Sequence, residues 1–264
     1  MKTLKIISVV ALWLLSFAAL AQSVDPAAEF EKANALYNAK KYEEATQEYN
    51  DLLRSGYISD EVYFNLGNAC FRNNDAASAI WCYEKCLLLN AAHQDAQANL
   101  DFVNKTALGN PEKVPENFFR YAWNSIYALM SWRCWTFTFI ITLALFLAAA
   151  IAFLISASNR NRRLLFFSSV LLLMATLLSL AQSISGNYNI KHSRNAIVVH
   201  EAAQMKSSPD STRTAIAMIQ PGIKVHILEN RTPWLKVIAP DGTQGWVLED
   251  RIVRLNAVTP LPVN

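Results

Sequence analysis

The sequence predicts a multidomain membrane protein with all-α helical pairs first, then a two-helix hairpin, then a small all-β barrel. Three observations predict it. Aligned on itself at a shift of 34 residues, the N-terminal part superimposes small residues on small and aromatics on aromatics. Residues 135–155 and 164–181 are apolar runs without a charge, and ~20 such residues at ~1.5 Å rise span the ~30 Å hydrocarbon core of a bilayer. Beyond residue 194 the pattern changes to short β-rich runs separated by turn residues.

The 264 residues leave room for two or three small domains. A hydrophobic content of 53% fits soluble domains sharing a chain with two spans. The net charge of +3 hides an asymmetry. Residues 22–107 carry thirteen acidic and seven basic side chains, residues 187–264 six acidic and nine basic. Neither segment is a dense basic patch, so nucleic acid is not an expected partner.

Residues 1–21 read as a signal peptide. Lys2 and Lys5 precede an apolar stretch over 6–20, and Ala19-Leu20-Ala21 has the small-x-small form of a cleavage site. An uncleaved anchor is the alternative, and in both cases residues 24–134 are exported. The loop over 156–163 carries Arg160, Arg162 and Arg163, which places the turn of the hairpin on the cytoplasmic side and both flanking domains on the other.

In the 34-residue register Phe30, Ala33, Asn34, Ala35, Leu36 and Tyr37 fall on Phe64, Gly67, Asn68, Ala69, Cys70 and Phe71. Ala45, Tyr49, Leu52 and Leu53 fall on Ala79, Tyr83, Cys86 and Leu87. This period and pattern resemble the tetratricopeptide repeat, a helix–turn–helix unit. The resemblance implies a repeat domain over 22–109, with repeats at about 27–60 and 61–93. A helix over 94–106 then caps the apolar face of the last repeat. Departures are Ala33 where glycine is common and Ala91 where proline is usual. In this family the first helix of each repeat lines a groove that accepts an extended peptide. On that face the resemblance places Phe30, Asn34, Tyr37 and Asn38 from repeat one. Repeat two places Phe64, Asn68, Phe71 and Arg72 there, with Asn65 at the edge. Asparagine amides hydrogen-bond a peptide backbone or carboxylate, and Arg72 adds a charge-assisted donor. The set is similar to a carboxylate clamp, although Phe30 stands where a clamp lysine is expected; the alternative is that Asn34 and Asn68 are plain solvent-facing helix residues.

Cys82 and Cys86 lie four apart with His93 seven further on, and none of the zinc spacings occurs. Cys70 and Cys86 occupy inward positions, where cysteine behaves as a small hydrophobe; a disulfide or thiol sensor, and a metal site, are the alternatives. Residues 110–134 read as a linker with two prolines and then an interfacial amphipathic helix, with Phe119, Trp123, Ile126 and Met130 on one face. The spans hold no ionisable side chain, which points to an anchor rather than a conduit, and the lipid bilayer is the expected partner. A polar tether is expected over 182–193.

Strand-like runs come next at 197–199, 215–219, 225–228, 234–238, 245–248 and 252–255, with turns at Pro221-Gly222 and Pro240-Asp241-Gly242 and a loop over 205–214. The order Pro221-Gly222-Ile223-Lys224-Val225, Trp234-Leu235-Lys236-Val237 and Gly245-Trp246-Val247 resembles a bacterial SH3-type domain over 194–256, before a tail at 257–264. Such domains are often associated with cell-wall peptides or proteins. Trp234 and Trp246 either form a recognition surface or cover the barrel core.

Phosphate loops, nucleophile elbows and paired metal-ligand motifs do not occur, so no catalytic residue, cofactor or metal is expected. The order of segments is similar to the BatE family, the tetratricopeptide member of the Bacteroides aerotolerance operon. This resemblance implies a bacterial inner-membrane protein with both soluble domains in the periplasm. Its implied partners are von Willebrand-type and other membrane proteins of the same operon, in tolerance of oxygen or envelope stress. The function expected is a protein–protein interaction scaffold; the alternative is an envelope sensor whose SH3-like domain binds cell-wall peptide.

Overall fold

The structure, a computed structural model, describes residues 25–109, 118–199 and 201–256. The expected signal peptide, most of the linker and the C-terminal tail lie outside the described residues.

Five short helices come first: α1 (Pro26–Asn38), α2 (Tyr42–Arg54), α3 (Asp60–Arg72), α4 (Ala76–Leu89) and α5 (Gln94–Ala107). Four of them start where the sequence supplies a side-chain cap. The Asp25 carboxylate accepts from the Ala27 N–H ahead of Pro26, Ser59 Oγ from Val62, Asp75 from Ser78 and His93 Nδ1 from Ala96. The α1–α2 and α3–α4 turns share a left-handed residue, Lys40 at φ 62° and Asn74 at φ 61°, 34 residues apart. The repeat therefore extends to the backbone. α3 and α4 approach closely at Gly67, where a Cβ would lie 2.7 Å from Tyr83 Cε1. That is why glycine stands there.

A short helix α6 (Phe118–Tyr127) precedes two long ones, α7 (Trp132–Ile155) and α8 (Asn159–His192), both long and apolar enough to cross a membrane. The expected interfacial helix ends at Tyr127 rather than near 132, because Ser131 caps α7 through the Cys134 N–H. The connecting loop shrinks to three residues, 156–158. The expected tether over 182–193 is helical through His192. At ~1.5 Å per residue α8 is about 50 Å long, well beyond a ~30 Å hydrocarbon core. Its polar end packs instead of dangling. Ser183 Oγ meets Thr136 Oγ1 at 2.6 Å, Ser179 meets Thr142 at 3.4 Å, and Gln182 Nε2 donates to the Trp123 carbonyl at 3.5 Å. At Gly186 a Cβ would lie 2.7 Å from the Tyr127 hydroxyl, so the absent side chain is what lets α6 and α7 close on α8.

The C-terminal segment is an antiparallel sheet in the order β3-β2-β6-β5-β4-β1-β7. Its strands are β1 (Asn195–Val198), β2 (Ala203–Lys206), β3 (Ala215–Ile219), β4 (Lys224–Arg231), β5 (Trp234–Ile238), β6 (Gln244–Leu248) and β7 (Ile252–Arg254). β2 occupies the start of the stretch expected as a loop over 205–214. Its four residues Ala-Gln-Met-Lys carry no β-branched side chain, and it is fixed by pairing with β3 and β6. Gly222 and Gly242, at φ +89° and +85°, supply the left-handed residues of the two expected turns.

Sheet and helices share a core. Along β1 and the residue after it, Ala196 and Val198 enter the sheet's own core while Ile197 and Val199 enter that of the helices, joined there by Leu255. A strand buried on both faces reads as an unbroken apolar run, as here. Around it Lys85 Nζ donates to the Leu255 carbonyl at 3.0 Å, Lys224 pairs with Glu84 at 2.7 Å, and Gly222 lies against Ile80 and Leu108.

Candidate functional site

Two surfaces present side chains suited to binding. The first lies on α1 and α3. Phe30, Asn34, Tyr37 and Asn38 keep helical spacing on α1, and Phe64, Asn68, Phe71 and Arg72 repeat it on α3. The structure splits this set. Asn34 Oδ1 accepts from the Tyr49 hydroxyl at 2.7 Å and from Asn65 Nδ2 at 3.1 Å. One repeat later, Asn68 Oδ1 accepts from the Tyr83 hydroxyl at 2.8 Å and from Asn99 Nδ2 at 2.9 Å. Each asparagine thus ties its own helix to the partner helix and to the first helix of the next unit. Both of its Oδ1 bonds are internal, and the Nδ2 donor is what each has left to offer a ligand. Tyr49, Tyr83 and Asn99 were not among the expected site residues, yet Tyr49/Tyr83 and Asn65/Asn99 obey the same 34-residue shift as Asn34/Asn68.

Phe30 packs on Tyr49 at 6.1 Å between ring centroids, and Phe64 lies between Tyr83 at 6.2 Å and His93 at 4.7 Å. These two are half-buried packing residues. The part of the face open to a partner is smaller: Asn38 and Arg72 are exposed, and Tyr37 and Phe71 are half-buried. Phe71 meets the Phe102 ring at 5.9 Å, and Phe102 is 55% exposed. The neighbouring Tyr37 hydroxyl holds the Arg72 guanidinium's pKa even higher than usual. The patch offers aromatic edges, amide donors and a fixed positive charge. An extended peptide with an acidic group and an apolar side chain matches it.

Behind it, Cys70, Cys82 and Cys86 are free and buried. Burial pushes the thiols of Cys82 and Cys86 far up, with the neighbouring Cys70 adding to the rise at Cys82. Thiols in that state are poor nucleophiles and poor ligands. Among the described residues, no three His, Cys, Asp or Glu side chains cluster closely enough to hold a metal ion.

The second surface is on the sheet. A cleft of about 260 Å³ is lined by Glu201, Gln204, Lys206, Trp234, Leu248 and Arg251, among others. Trp234 and Trp246 lie outside the sheet's core cluster. In the ladder Trp234 pairs with Leu248 and Trp246 with Lys236 and Lys206, on the face opposite Leu235, Val237 and Val247. Both side chains are nevertheless buried, Trp234 at 8% and Trp246 at 7% exposure. Trp234 lines the cleft, with Lys206 Nζ 5.8 Å from its ring centroid and donating to the Ser211 carbonyl at 2.5 Å. Arg251 forms an ion pair with Glu201 across it. Trp246 lies under the Arg231 guanidinium at 5.1 Å. The two tryptophans thus stand in different settings.

No family model matches this chain, and no curated protein matches it.

Proposed function

We propose that this chain is a membrane-anchored protein–protein interaction scaffold. In this reading its helical pairs are tetratricopeptide repeats that capture a peptide segment of a partner membrane protein. The observation that carries it is the open patch of Tyr37, Asn38, Phe71, Arg72 and Phe102 on helices whose rigidity is set by the repeated asparagine–tyrosine locks. A surface held that stiffly loses little entropy when a ligand orders on it. The hairpin is an anchor in a bacterial inner membrane, with the arginine-bearing turn in the cytoplasm and both soluble segments in the periplasm. The sheet is an SH3-like domain. The order of segments supports membership in the BatE family, with partners among the von Willebrand-type and other membrane proteins of an aerotolerance operon. No catalytic step belongs to this reading.

The test is a photo-crosslinking residue at Asn38 or Arg72 in intact cells, with identification of the captured proteins. A discrete set of membrane proteins, lost on Arg72→Glu, is the expected result. Capture unchanged by Arg72→Glu would dismiss the patch. Topology is read separately, with the exposed Cys134 replaced by serine, by membrane-impermeant thiol labelling of Asn161→Cys and Gln204→Cys, with only the second labelled from the periplasmic side.

The Trp234 cleft favours a second reading, an envelope sensor that binds cell-wall peptide. An aromatic floor beside Lys206, Gln204 and Arg251 suits a short peptide with a carboxylate. Full-length protein in detergent should then sediment with purified wall material and lose this on Trp234→Ala. Failure to sediment would remove the sensor reading and leave the scaffold reading standing.

A further inference from the structure

An open antiparallel sheet has two edges, and this chain treats them differently. β7 is one edge. It is closed off by the helices: Leu255, just past it, is buried in the helical core and its carbonyl takes the Lys85 Nζ, with Val253 packed against the same core. β3 is the other edge. It pairs with β2 alone, and among the described residues no backbone hydrogen bond joins Ala215–Ile219 to anything beyond that ladder. In an antiparallel strand alternate residues turn both N–H and C=O outward, so β3 presents a row of unused backbone groups. Natural sheets guard such an edge with lysine, proline, a bulge or a covering element. Here a bulge falls between Met205 and Lys206 on the inner neighbour β2. The edge strand itself reads Ala-Ile-Ala-Met-Ile, without charge or proline, with Ile216 51% and Met218 52% exposed on one face.

We propose that β3 is an assembly edge through which two copies of this chain pair antiparallel, joining their sheets. Water can satisfy these outward N–H and C=O groups, and a second extended strand is the protein partner whose spacing matches the whole row. The choice of a second copy rests on charge and on symmetry. The strand is uncharged over its full length, so it meets itself without like-charge repulsion. A two-fold axis through Ala217 sets Ile216 of each copy opposite Met218 of the other, and Ala215 opposite Ile219. The two exposed apolar side chains thereby cover each other, which is the self-complementarity an isologous interface needs. A five-residue pairing buries less than the ~1,200 Å² at the low end of stable soluble interfaces. Confinement to one membrane raises the effective concentration enough to populate a weak pairing. That last step rests on the membrane reading of the hairpin, whereas the register does not.

The register gives the test. In the full chain in bacterial membranes, with the exposed Cys134 replaced by serine, Ile216→Cys combined with Met218→Cys is oxidised. A product at about twice the 29.6 kDa chain mass is expected from the double variant. Each single variant gives far less, as does a control at the exposed Asn230→Cys. Independently, Förster transfer between differently labelled copies in liposomes falls to background for Ile216→Lys with Met218→Lys, which places like charges opposite each other. Double-variant crosslinking no stronger than the Asn230 control would overturn the proposal. So would a crosslink exclusively to a different protein, or transfer unaffected by the two lysines. Carbonate extraction of the same membranes reads anchoring separately: if the chain is released, the anchor fails while the crosslink register still decides the pairing.

Discussion

Asn68 looks like a residue to mutate when testing a peptide groove, and the structure predicts that Asn68→Ala does something else. Its Oδ1 accepts two hydrogen bonds, from the Tyr83 hydroxyl at 2.8 Å and from Asn99 Nδ2 at 2.9 Å. Tyr83 is 1% exposed, so water cannot readily replace the lost acceptor. A buried donor left without a partner costs ~1–3 kcal/mol. The half-buried Asn99 amide adds a smaller amount, giving a destabilisation of about 2–3 kcal/mol. Tyr83→Phe removes donor and hydroxyl together and should cost about 1 kcal/mol. In the double variant the orphaned hydroxyl no longer exists, so the two losses sum to more than the combined effect, by about 1 kcal/mol of coupling. Urea unfolding of the detergent-solubilised chain, monitored by far-ultraviolet circular dichroism, measures the cycle. Asn34→Ala with Tyr49→Phe is its counterpart one repeat earlier. An Asn68→Ala change within ~0.5 kcal/mol of wild type, as for an ordinary surface residue, would refute the lock. Partner binding is better probed at Asn38 and Arg72, whose side chains are exposed.

Three further outcomes are expected. Gly67→Ala places a methyl where Tyr83 Cε1 would be 2.7 Å away and should destabilise the helices by ~1–3 kcal/mol through overpacking, read in the same urea assay. Burial pushes the Lys85 pKa down to about 8 from its ordinary 10.5. Between those values the unfolded chain binds more protons than the folded one, so this lysine's contribution to stability rises with pH from about 8 to 10.5. The difference in unfolding free energy between wild type and Lys85→Met should track that window; a pH-independent difference would count against a shifted lysine. In maleimide labelling of the native, detergent-solubilised chain, Cys134 reacts first while Cys70, Cys82 and Cys86 resist until denaturant is added. Rapid native labelling of Cys82 would contradict its buried setting.

The helical pairs and the two apolar helices were legible because each is written in a period the chain cannot hide. A 34-residue shift carries α1 onto α3, α2 onto α4 and α3 onto α5 almost to the residue, and an uncharged run of ~20 residues has few other uses. Boundaries that depend on neighbours were not legible. Residues 182–192 are polar and read as a tether, but Ser183, Gln182 and Gly186 each meet α6 or α7 and hold the helix together. β2 lacks β-branched residues, so its propensity is silent; it is a strand because β3 and β6 flank it. On the candidate face, the tetratricopeptide register named Phe30, Asn34, Tyr37 and their repeat-two counterparts, which keep helical spacing on α1 and α3. Spacing does not reveal that the Asn34 and Asn68 carbonyls turn inward, since a hydrogen bond to a helix 15 residues away leaves no local mark.

By itself, then, the sequence determined the helical pairs, the two apolar spans and most of the strands, because hydrophobic period and capping chemistry are local. It determined the repeat, because each unit buries the same face against the next. Only the tertiary structure decided that β1 is buried on both faces and that Lys85 and Leu255 fasten the sheet to the helices. It alone set Trp234 and Trp246 on the face opposite Leu235 and Val247 and left β3 as the open edge. Those features depend on which surfaces meet across 140 to 170 residues of chain, as in the Lys224–Glu84 and Lys85–Leu255 contacts. Contacts at that separation are selected by packing and charge in three dimensions, and no short-range pattern records them.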